Sequence, residues 1–119
     1  MSRKISKDGL SPRAIDALVA EHVMGYETDS YKDNFKSNVG WFSIDDWCPS
    51  TDIAAAWEVV EKMGESGLFV SVGNTLSGLY VCITCKPNDR KSTIETVSES
   101  APMAICLAAL KAKGINYSD

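Results

Sequence analysis

The chain has a single histidine, His22, in 119 residues, and that scarcity removes the histidine-spaced metal centres. A glycine-rich phosphate loop and the nucleophile-elbow pattern are both missing, so the common nucleotide-hydrolysing and acyl-transfer signatures are not available. No apolar run approaches the roughly 20 residues of a membrane helix, and the N-terminus has no apolar h-region. Positive charge is in deficit as well. A net charge of −4 argues against bulk affinity for duplex nucleic acid or an anionic membrane. These absences lead to the expectation of a cytoplasmic, non-enzymatic protein without a cofactor.

What is present is ordinary for a globular domain, with 45% hydrophobic and 24% charged residues. The length suits one core and is too short for two. Residues 1–10 are polar and basic (Arg3, Lys4, Lys7) and read as a loosely held arm; residues 11–119 read as a single domain. Four cysteines, Cys48, Cys82, Cys85 and Cys106, include a CxxC pair. Cys82 and Cys85 fall in a stretch that reads as a strand, where residues three apart point to opposite faces. The pair is therefore expected to be reduced and packed, not bridged or metal-binding.

The clearest local signal runs from Pro49 to Gly64. Ser50 or Thr51 can cap a helix, Asp52 suits its positive end, and Gly64 can end it in a left-handed conformation. Ile53, Ala56, Trp57, Val60 and Met63 recur at helical spacing, which assigns Trp57 to the core. An earlier helix opens at Ser11-Pro12 and stops at Gly25, with Ile15, Leu18, Val19 and Val23 as its stripe and His22 on or beside it as a half-buried packing residue. Tyr26 to Gly40 shows no period and reads as an irregular segment, and Trp41 to Ile44 reads as either a short strand or an ordered approach to the next helix. Leu68–Val72, Leu79–Cys85 and Thr93–Val97 read as three strands, and Met103 to Lys113 as a final helix, apolar almost all round. Neither face of the strands is decisively polar, which predicts a sheet covered on both sides. The expected class is α+β: three main helices and a short antiparallel meander of about three to four strands.

Three phrases carry a family resemblance, in order over about residues 14 to 112. They are Asp16 to Gly25 (DALVAEHVMG), Pro49 to Lys62 (PSTDIAAAWEVVEK) and Ser100 to Leu110 (SAPMAICLAAL). Together they resemble the phage ABA-sandwich domain family. The resemblance implies a helix–sheet–helix sandwich in a small protein of phages and prophages, acting in a bacterial host cell. It carries no catalytic residues that can be transferred.

Candidate chemistry then rests on loops. Tyr26, Trp41 and Trp47 flank irregular segments, where aromatic faces stack on bases or anchor partners. Lys86, Arg90 and Lys91 cluster in a turn as donors for phosphates. Asp45-Asp46 read as a solvated turn, with cation binding as the other reading. In the viral context these residues suggest a compact homo-oligomer that sequesters a nucleotide-derived immune messenger, of cyclic oligonucleotide or cyclic ADP-ribose type. The alternatives are a protein-interaction module acting on a host or phage protein, and an enzyme that degrades the same messenger. Homo-oligomers are expected because a short meander leaves edge strands to cover.

Overall fold

Ser11 opens the first helix as its sequence predicts. Its hydroxyl accepts a hydrogen bond from the Ala14 amide at 3.1 Å, and Pro12 fills the first turn. The computed structural model describes residues 4–6, 11–31, 33–37 and 39–118. Helix α1 (Pro12–Leu18) passes into a π-helical turn at Val19–Val23, where the Met24 amide reaches Val19 O at 3.0 Å. Gly25 follows at a φ of 75°, and the Tyr26 amide bonds back to Ala20 O at 2.9 Å, which pins Tyr26 beside the helix end. His22 is exposed on this turn, 3.8 Å from the Glu21 carboxylate, and is not the packing residue its position suggested.

The stretch from Tyr26 to Gly40 is more ordered than its composition implied. It forms β2 (Glu27–Thr28) and β3 (Asn34–Ser37), which join β4 (Gly40–Ser43) in an antiparallel meander. The signal was absent because β3 buries one apolar side chain, Phe35, and leaves Asn34 and Lys36 to solvent. Asp29 holds the connecting loop by accepting from the Asn34 side-chain amide at 2.8 Å and the Asp33 amide at 3.0 Å. That lowers its pKa, the Asn34 bond contributing most.

Helix α2 spans Ile53–Glu65, and its cap is Asp52, which accepts from the Ala54 amide at 3.1 Å. Ser50 does different work. It is buried, donating its amide to Asp16 at 2.7 Å and its hydroxyl to Pro12 O at 3.2 Å, and so ties the approach of α2 to α1. Gly64 lies inside the helix; the left-handed glycine is Gly67, at a φ of 89°. The buried face of α2 is Ala55, Ala56, Val59 and Met63, with Val60 half-buried. Trp57 is 52% exposed, so its assignment to the core is corrected. Two stripes, offset by one residue and sharing Ala56, Val60 and Met63, fit the same spacing. Burial selects the one whose alanines let α2 approach α3.

Strands β5 (Phe69–Asn74), β6 (Tyr80–Lys86) and β7 (Asp89–Ser98) form a second antiparallel meander. Helix α3 (Ala101–Ala112), capped by Ser100, packs on it and against α1 and α2, and every residue from Ala104 to Leu110 is buried. Thr96 Oγ1 donates to Ala104 O at 2.6 Å and locks β7 to the first turns of α3. Cys82 and Thr84 face the helices. On the other face Phe69, Ile83 and Val97 are exposed, so the expectation of cover on both faces of this sheet is not met among the described residues.

Strand β1 (Lys4–Ser6), inside the stretch expected to be an arm, runs parallel to β8 (Asn116–Ser118); the rest of 1–10 lies outside the described residues. The whole is α+β, three α-helices with two three-stranded antiparallel sheets among the described residues, the class expected from the sequence. No helix among those residues is long and apolar enough to cross a membrane.

Candidate functional site

Tyr26, set by the turn after α1, meets two other rings. Its ring centroid lies 5.5 Å from Phe42 and 5.8 Å from Trp47, both edge-to-face. Phe42 and Trp47 are themselves 6.1 Å apart, and buried Phe35 closes the cluster from below. Trp47 Nε1 donates to the Glu58 carboxylate at 2.6 Å, a short charge-assisted bond from the approach segment onto α2. Burial, and then the Glu58 charge, raise the Tyr26 phenol pKa, so it stays a neutral hydroxyl at physiological pH.

Beside this cluster is an open hollow of about 370 Å³. Tyr26, Lys36, Ser37 and Lys62 line it, with Glu27 and Glu65 among the rest of its wall. Lys36 lies opposite Glu27 on β2 and opposite Trp41 on β4, so those three side chains share one face of the meander. Trp41 is 57% exposed there. Lys62 sits 3.9 Å from Glu65.

A second hollow, about 310 Å³, lies at the base of the β6–β7 hairpin. Pro87 and Asn88 make the turn; the proline fixes a negative φ and Asn88 takes 63°, the sign pair of a type II turn. The register then slips between Thr84, which faces Ile94, and Lys86, which faces Asp89. The extra residues of β7 bulge, and Ser92 stitches the bulge by accepting from the Lys86 amide at 2.9 Å and donating to Asp89 O at 2.7 Å. Lys86, Lys91 and Thr84 line the space that opens.

The sequence-selected residues therefore divide. Tyr26 and Trp47 are in contact, and Trp41 stands on the face that carries Lys36; Lys86 and Lys91 line the other hollow. Arg90 is in β7, and its side chain is outside the described set. Lys36, Lys62 and Thr84 were not selected. Lys36 lay in the segment without a period, and nothing in a strand sequence marks one buried threonine from another.

Other reactive groups are committed. Arg13 pairs with Asp33 at 2.7 Å and with Asp45, so Asp45 is an ion-pair partner as well as a turn residue. Burial pushes the Cys82 thiol up to about 11 and the Cys106 thiol well above its ordinary range, so neither is a ready nucleophile. The four cysteines are unbridged. Among the described residues no three His, Cys, Asp or Glu side chains are grouped to hold a metal ion.

Helices on antiparallel meanders define an α+β sandwich of viral type once the comparisons are added. Residues 17–110 match the phage ABA sandwich domain, and the chain belongs to that family. A phage protein from Bacillus cereus ATCC 14579, solved at 2.0 Å, is similar over 94% of this chain and 95% of its own, with 31% identity and a TM-score of 0.75. No curated protein sequence matches the chain.

Proposed function

We propose that this phage protein is a non-enzymatic binder that sequesters a nucleotide-derived messenger of bacterial immunity, of cyclic oligonucleotide or cyclic ADP-ribose type, in the host cytoplasm. The observation that supports this reading is the hollow beside Tyr26. Its volume is within the roughly 300–1,000 Å³ of small-molecule pockets, and it joins an aromatic ring to two lysines. The two glutamates balance that charge. A ligand with sugar hydroxyls and base amino groups to offer Glu27 and Glu65 suits it better than a bare polyanion does.

Titration calorimetry of the folded protein against a panel of such messengers tests the reading. One of them is expected to bind saturably, with Tyr26→Ala and Lys36→Gln each weakening it at least about tenfold, the scale of one lost charge-assisted or stacking contact. Absence of heat for every messenger would sink the proposal. Chromatography of the same mixtures separates sequestration from degradation, because only an enzyme changes the ligand.

A second reading, contact with another protein, is favoured by the outer face of β5–β7, where Phe69 is 65% exposed beside Ile83 and Val97. A second copy is the occupant that the register supports. Ser71, Ile83 and Glu95 form one row and Gly73, Val81 and Val97 the next. A two-fold axis along β6 would oppose Ser71 to Glu95, and Gly73 to Val97, so carboxylate meets hydroxyl and the bulky residue meets the space of a glycine. Light scattering is expected to give a dimer that Ile83→Asp dissociates. A monomer would reject the second copy and leave a host or phage protein as the occupant to seek.

A further inference from the structure

The hollow under the β6–β7 hairpin has a different chemistry from the one beside Tyr26, and it stands or falls separately from the messenger reading. Among the described residues its charged lining side chains are Lys86 and Lys91, and no carboxylate stands in the wall. Neither ammonium has an ion-pair partner among the described residues. The nearest acid in sequence, Asp89, turns its carboxylate to the Lys91 amide at 3.2 Å and does not line the space.

Thr84 supplies the second, independent observation. It lines the same hollow, is 1% exposed, and its Oγ1 is a buried side-chain polar atom without a hydrogen-bond partner. Buried hydroxyls are normally satisfied, and even the half-buried hydroxyl of nearby Ser92 is, since its Oγ both accepts and donates within the bulge. A valine of the same shape would fill the position without an orphaned group. Leu68 and Ile94 bound the space with apolar surface, which strengthens any charge interaction made there.

We propose that this hollow is an anion site for a phosphate group, with Lys86 and Lys91 as charged donors and the Thr84 hydroxyl as the third. A tetrahedral phosphate has oxygens to meet donors arriving from the hairpin end and from the strand floor together. The phosphate can be free or part of a nucleotide, and the chemistry of the wall is the same for both.

The test is a two-dimensional amide NMR titration at fixed ionic strength, with inorganic phosphate in one arm, adenosine 5′-monophosphate in another and chloride as control. Saturable shifts at Thr84, Lys86 and Lys91 to Ile94 are expected with phosphate and absent with chloride. Equal affinity in the two phosphate arms identifies the bare group as the ligand; tighter binding of the monophosphate identifies a nucleotide. Lys86→Gln with Lys91→Gln, both exposed positions, is expected to weaken binding at least tenfold. Thr84→Val should weaken it several-fold while the protein remains folded. Shifts no larger than those with chloride, or binding unchanged in the double variant, would overturn the site.

Discussion

At the scale of single residues, polar groups buried by the fold carry the sharpest expectations. Thr84→Val removes an unpartnered hydroxyl and keeps the shape, so it is expected to stabilise the unliganded protein by about 1 kcal/mol in urea denaturation. Asp16 is the opposite case, a buried carboxylate that is used. Desolvation raises its pKa, and the Ser50 bonds offset part of that. Because the folded pKa is above the unfolded one, the native state holds the extra proton between them. Stability therefore falls as pH rises from the ordinary aspartate range through the raised value. Asp16→Asn removes that slope, and denaturation midpoints measured from pH 3 to 7 should show the wild type losing ground against the variant as pH increases.

At the scale of elements, α2 and α3 divide the packing unequally. Met63 is buried in the core, whereas Trp57 is exposed. Met63→Ala should cost about 2–5 kcal/mol, as buried large-to-small changes do, whereas Trp57→Ala should cost under about 1 kcal/mol. Equal losses would return Trp57 to the core. Ser100→Ala removes the cap of α3, and thermal unfolding should report a loss of about 1 kcal/mol. These elements also show what the sequence could and could not convey. Ser11-Pro12 announced its helix because capping is local chemistry. The α2 stripe was ambiguous by one residue, because periodicity gives a set of faces and only tertiary contact chooses among them. Strands β2 and β3 went unread because a strand that buries one side chain has no alternation to detect.

At the scale of the whole molecule, two sheets and the helices bring distant residues into two hollows. Tyr26 was legible as an aromatic at a helix exit, and Lys86 and Lys91 as a basic hairpin. That Lys36 and Lys62 share a wall with Tyr26 depends on pairing β2 with β3 and on how α2 packs, which no local pattern encodes. The family and the similar Bacillus cereus phage protein fix the viral setting and the fold, and carry no ligand or activity with them. Sequestration is the central claim, and a retention assay tests it most directly. A cyclic nucleotide messenger is incubated with excess protein, the mixture is filtered, and the retained fraction is heat-denatured and chromatographed. The expected result is a filtrate depleted of messenger, which is then recovered intact from the denatured protein. Messenger that stays in the filtrate, or returns as a hydrolysed product, would contradict the claim.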